Sequence, residues 1–127
     1  MDEARRLRDE ATDNDAHHIQ VIKDADSADS DAERARSEAA GFATEAAYER
    51  QEAGGLGSQT DEPGGSNEIS ILNGRAEDND QRERESISAA EASETRARQL
   101  RSDAAEYANA ALRLRSDANA AELDAKR

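Results

Sequence analysis

The sequence predicts an all-α chain: two heptad-repeat helices of about 50 residues flanking a glycine-rich break, elongated as a coiled coil. Three observations predict it. Alanine occurs 27 times, 13 times before residue 54, never in residues 54–75 and 14 times after, so the small hydrophobe is confined to two arms. In each arm an apolar seam recurs at alternating steps of three and four residues. Six of the seven glycines and the only proline lie between the arms. The expected division is a helix over 1–53, a Gly-rich joint or small non-helical insert over 54–75, and a helix over 76–127.

The first seam runs Ala4, Leu7, Ala11, Asn14, His18, Val21, Ala25, Ala28, Ala32, Ala35, Ala39, Phe42, Ala46, Glu49, Ala53. With the first position of each heptad called a and the fourth d, Ala fills a everywhere except His18, and the bulky Leu7, Val21 and Phe42 stand at d. A spacing of 3.5 residues sustained this long imposes a left-handed supercoil. Asp2 is a suitable N-cap, and Gly54-Gly55 would end the helix with a left-handed glycine that carries no Cβ strain.

In the break, Glu62-Pro63-Gly64-Gly65 has the chemistry of a type II turn, with Pro setting φ and Gly accepting positive φ. Glu68 to Leu72 reads as one short strand ended by the turn dipeptide Asn73-Gly74.

The second seam runs Ala76, Asn79, Glu83, Ser86, Ala90, Ser93, Ala97, Leu100, Ala104, Tyr107, Ala111, Leu114, Ala118, Ala121, Ala125. Only Glu83 interrupts Ala at a. Asp78 and Gln81 have capping-box spacing at the expected start, and acid-to-base pairs such as Asp80/Arg84 and Glu94/Arg98 support helix. Glu49 and Glu83, charged at seam positions near the break, are expected to loosen the coil. Leu100 to Ala104 returns as Leu114 to Ala118 two heptads later, so the seam is built by copying a unit, which adds length rather than a pocket.

Composition removes several functions. Seventeen basic against 30 acidic residues give a net charge of −13, which repels nucleic-acid phosphates. There is no cysteine for a disulfide or thiolate site, and no apolar run long enough for membrane insertion. The expectation is a soluble chain without a signal peptide or transmembrane segment. No phosphate-binding glycine loop or nucleophile-base-acid set is present, so no enzyme activity, catalytic residue, metal site or cofactor is expected. The excess of Asp, with 15 Arg against two Lys, suits a halophilic or a high-GC source. Leu, Ile, Val and Phe total only 14 residues, a scarcity that a thin rod with no wide interior tolerates.

A basic residue, a polar residue, an acid, Ala, two variable residues and a bulky apolar one form a repeating unit. It stands as Arg36-Ser37-Glu38-Ala39-Ala40-Gly41-Phe42 and Arg101-Ser102-Asp103-Ala104-Ala105-Glu106-Tyr107. Both arms in this respect resemble the Ala-rich coiled-coil shafts of tailed-bacteriophage tail fibres. That resemblance implies a parallel homotrimer and a structural protein of the virion, a fibre spacer or attachment element. Self-association and contact with other virion proteins would follow. No receptor-binding residue carries over.

Two arrangements fit the seams, the parallel homotrimer being the expected one and the antiparallel hairpin the alternative. The parallel homotrimer packs each chain on two neighbours, with Leu7, Val21, Phe42, Leu100, Tyr107 and Leu114 as anchors and Asn14 and His18 as polar register layers. The antiparallel hairpin folds at 54–75, setting Ala28 near Leu100 and Asn14 near Leu114. As an acidic helical hairpin the chain would be an interaction module for a partner protein, and the Ser-Asp-Ala runs of the second arm resemble the receptor-binding hairpins of colicins.

The remaining candidates are few. His17 and His18 point about 100° apart on a helix and cannot share a metal, though three copies of His18 would converge on the axis of a trimer. Residues 9–33 carry nine acids against Lys23 alone, either a site for a basic partner or divalent cation or a solvated helix face. Asp78-Asn79-Asp80 begins like a calcium loop, but Arg82 replaces the third oxygen ligand and no glycine follows. Tyr48 and Tyr107 are expected to pack rather than to stack on bases.

Overall fold

The computed structural model describes the backbone of residues 2–59 and 63–127 and the side chains of residues 2–57 and 67–127. The chain is all-α. Helix α1 spans Asp2–Gln59 and helix α2 spans Pro63–Ala125, 58 and 63 residues long. The two helices form two compact units, Met1–Asp29 with Glu94–Arg127 and Ser30–Ser93. In each unit a segment of α1 packs antiparallel to a segment of α2.

Packing follows the seam. Among the described residues the buried apolar ones are fourteen alanines, including Ala4, Ala11, Ala25, Ala104, Ala111 and Ala118 in the first unit and Ala39, Ala46, Ala53, Ala76 and Ala90 in the second. Thirteen of them are at position a, and Ala28 is at d; of the expected Ala a positions only Ala125, at the end of α2, is exposed. Methyl groups at seven-residue spacing put little between two backbones, and helix separation is set by the side chains at the contact. The larger d residues, expected to anchor the seam, behave differently. Leu7, Val21, Leu100, Tyr107 and Leu114 in the first unit and Phe42 in the second are all half-buried. Two helices share one line of contact, so alanine occupies it and the larger side chains cover its flank.

The glycine-rich segment departs from expectation. Helix α1 runs through Gly54-Gly55 to Gln59, and no described glycine has positive φ. Residues 68–72, expected as a strand, and Asn73-Gly74, expected as a turn, are helical. Of the expected type II turn, Pro63 to Gly65 belong to α2, and Glu62 lies outside the described residues. Pro63 opens α2, where its missing N–H is one the first turn leaves unpaired in any case. Asp78 and Gln81, expected to cap a helix start, are therefore deep inside α2.

The physical reason is that the seam does not stop at the break. Ile69 and Leu72 fall seven and four residues before Ala76, on the a and d rows, and Leu56 is three after Ala53; all three are half-buried. A Cβ placed on Gly57 would lie 3.8 Å from Ile69 Cδ1, so α1 and α2 remain in contact there. Burial along the continued seam outweighs both the helix cost of glycine, about 1 kcal/mol each, and the strand preference of Ile. Nor does the coil loosen at Glu49, where the helix is continuous and the side chain is taken by Asn79.

In each unit the packing is antiparallel, the alternative arrangement in place of the expected parallel homotrimer. Each arm's seam meets the other arm's seam, where the parallel homotrimer would join it to copies of itself. Among the described residues no helix is long and apolar enough to cross a membrane.

Candidate functional site

Among the described residues chemistry is carried by the two flanks of each contact line. One flank is position e, the residue immediately after d. In the first unit Arg8 donates through both terminal nitrogens to Glu122, Nη1 to Oε1 at 2.7 Å and Nη2 to Oε2 at 2.8 Å, and Nη2 also to Asn119 Oδ1 at 3.2 Å. Seven residues forward in α1 and seven back in α2, Arg115 donates to Asp15. Two heptads further Arg101 donates to Asp29 and, at 3.2 Å, to Asp26. In the second unit Arg50 is paired with Asp80, and at the adjoining d positions, toward the other flank, Asn79 Nδ2 donates to Glu49.

These pairs shift ionisation in a consistent direction. The Arg115 guanidinium, by donating to Asp15, holds that carboxyl below its ordinary range. Arg50 does the same to Asp80 and Arg8 to Glu122. The partner guanidiniums Arg8, Arg50, Arg101 and Arg115 are correspondingly raised, first by the same hydrogen bonds. All are part-exposed pairs that hold helices in register, not groups poised for acid-base catalysis. A carboxyl depressed in the folded state contributes stability that is present above its unfolded pKa and lost as pH falls through its folded pKa. The stability difference between the parent chain and Asp15→Asn is therefore expected to be full at neutral pH and to vanish in acid below the folded pKa of Asp15. Urea titrations of both chains across that range measure it, and a difference independent of pH would mean the pair does not form in solution.

The other flank carries d and g, the residue before a. In the first unit the His17 ring stacks on Tyr107, with centroids 5.2 Å apart and planes inclined by 26°. Tyr107 is thus a packing group, as expected. His18 Nδ1 lies 2.9 Å from the carbonyl oxygen of Ala104 on the facing helix, so it donates across the contact line in the Nδ1–H tautomer. Asn14, the other expected register residue, instead donates to Glu10 O one turn earlier in its own helix, at 2.9 Å. An open cleft of about 390 Å³ lies beside Asn14, Asp103, Tyr107 and Arg113.

The register that seats Arg8 on Glu122 also sets Glu3 opposite Asp124, Glu10 opposite Asp117 and Asp24 opposite Asp103. Apart from His17, Arg96 and Ala110, position g of the first unit thus carries acids on both helices, of which Asp24 and Asp103 accept from Gln20 and Gln99 on their own helices at 3.1 Å. In the second unit the same row is matched, Glu45 opposite Arg82 and Glu52 opposite Arg75. These four side chains line an open groove of about 650 Å³ with Leu72 and the exposed Tyr48. Arg82 also lies over the Phe42 ring, 5.9 Å from its centroid.

The acidic run of residues 9–33 is divided by this geometry. Asp15, Asp26 and Asp29 pair with arginines of the facing helix, Asp31 with Arg34 and Asp24 with Gln20 of its own helix, while Asp9, Asp13 and Glu33 are exposed. Asp78-Asn79-Asp80 lies within α2 with its last two residues paired to α1, an arrangement unlike a calcium loop. Among the described residues no group of three or more His, Asp or Glu side chains is placed to hold a metal ion. Sequence reasoning missed the e row. Its signal was present: read forward in α1 and backward in α2, e positions oppose as Arg8/Glu122, Asp15/Arg115, Ile22/Ala108, Asp29/Arg101, Ala43/Ile87 and Arg50/Asp80, each a charge match or an apolar pair.

No protein-family model, curated protein or solved structure matches the chain.

Proposed function

We propose that the chain is an acidic antiparallel helical-hairpin interaction module, binding a partner protein through a helical face and carrying out no catalysis. The observation that carries this reading is the row of complementary e-position pairs, Arg8/Glu122, Asp15/Arg115, Asp29/Arg101 and Arg50/Asp80. A parallel assembly brings e positions against g positions of a neighbouring copy and gives this pattern no purpose. Chain-internal pairing leaves the d and g flank available to others. A second reading, a spacer of virion fibres, draws support from the fourteen-residue repetition of Leu100 to Ala104, which extends a seam without creating a site.

Spin labels on Thr12→Cys and Asn119→Cys, in doubly labelled chain diluted with unlabelled chain, separate the readings. Both positions are exposed, on facing segments of the first unit. The module predicts a distance of a few nanometres or less and the sedimentation of a 13.7 kDa monomer. In a continuous parallel coil the labels stand well over 100 Å apart at ~1.5 Å per residue, which leaves no measurable coupling within a chain. That outcome with a trimeric mass would replace the module by the fibre.

A further inference from the structure

The e and d/g flanks of the first unit are built on opposite electrostatic principles. On the e flank each charged pair is complementary and satisfied within the chain. On the other, the register brings Glu3/Asp124, Glu10/Asp117 and Asp24/Asp103 to matching levels of the two helices, so that both borders of the flank are acidic. Arg6, Arg96, Arg113 and Arg127 lie toward this flank, against eight carboxylates once Asp13 and Glu106 are added. Arg6 is already occupied by Glu10, at 3.5 Å. Between the acidic rows lie the large d side chains of the unit, all half-buried, and the cleft beside Tyr107.

We infer that this flank of the first unit is a docking face for a basic amphipathic helix of a partner protein. Its apolar stripe would cover Leu7, Val21, Leu100, Tyr107 and Leu114, and its Lys or Arg side chains would lie between the two rows of carboxylates. Apolar anchors at helical spacing set between acidic borders are the complement of a helix with a Leu-like stripe and basic edges. Charge selects among occupants. A second copy would bring the same acids to the face and be repelled. A simple polycation would meet the acids but leave the apolar stripe wet. From Leu7 to Val21 is four turns, about 21 Å, so a partner helix of roughly 15–20 residues spans the face.

The inference rests on the module reading, and the test keeps the two apart. The probe is an 18-residue synthetic helix with Leu at a and d and Lys beside them, titrated into the full chain by calorimetry and methyl NMR. The controls are the same peptide with Glu for Lys and one of identical composition with scrambled order. Saturable binding is expected, at least tenfold weaker for either control, with shifts at Leu7, Val21, Leu100 and Leu114. Glu10→Lys with Asp117→Lys should weaken it tenfold or more, while Glu33→Lys with Glu38→Lys in the second unit should leave it unchanged. Equal binding of the scrambled peptide, shifts confined to the second unit, a self-associated chain covering the face, or no binding each overturns the docking face. Sedimentation and circular dichroism on the same samples report the module separately. A helical monomer that ignores the peptide loses only the docking face, whereas a parallel trimer removes the module beneath it.

Discussion

Replacing Ala25 and Ala104 together by leucine is expected to destabilise the helical pair by about 2–6 kcal/mol, since overpacking a close-packed site costs roughly 1–3 kcal/mol each. Both are on the a row of the first unit, at 0% and 1% exposure, and the register sets them opposite each other. Sites this buried have no open space for a leucine, so the helices are expected to separate and the e-row pairs on both sides to lengthen. Urea denaturation followed by circular dichroism measures the loss, with Ala16→Leu on the exposed surface as the control for helix propensity. Sedimentation of the double variant is equally informative, because a leucine seam suits a wider coiled coil of several chains. An unchanged urea midpoint in a monomeric double variant would show that the alanine seam is not where the helices meet.

The second large effect has the opposite sign. Gly41, Gly54, Gly55 and Gly74 all stand in helix with negative φ, and a Cβ built on any of them meets nothing within 4 Å. Each alanine there restricts the unfolded chain and costs the folded chain nothing, a gain of roughly 0.5–1 kcal/mol per site. The quadruple Gly→Ala variant is expected to be more stable by about 2–4 kcal/mol, read as a higher urea midpoint at an unchanged slope. Were Gly54-Gly55 the left-handed stop that glycine chemistry suggests, the same change would destabilise instead.

Those glycines show where local signals mislead. Gly54-Gly55, Asn73-Gly74 and the alternating Ile69 and Ile71 carry turn and strand chemistry that is sound over a window of a few residues. Ile69 and Leu72 also continue the a and d rows, and that longer-range pattern decides the outcome because each helical turn added also adds contact with the facing helix. The converse holds for Leu7, Phe42 and Tyr107. Seam periodicity places them correctly, but how deeply they are buried depends on how many helices surround the seam. A third strand would enclose them; a pair leaves them half-covered, and with them the flank that carries the proposed docking face.

The sequence by itself determined that this chain is helical, which residues form its contact line, and that its surface is strongly acidic. Those properties follow from a 3.5-residue period and from composition, both of which are local or additive. Only the tertiary structure decided what each seam meets. A heptad of alanines fits a parallel or an antiparallel neighbour equally well, and direction is chosen by pairs such as Arg8 with Glu122 and Asp15 with Arg115, 114 and 100 residues apart along the chain. The same choice sets Glu10 facing Asp117 rather than a base, which turns a uniformly acidic composition into one matched flank and one open one.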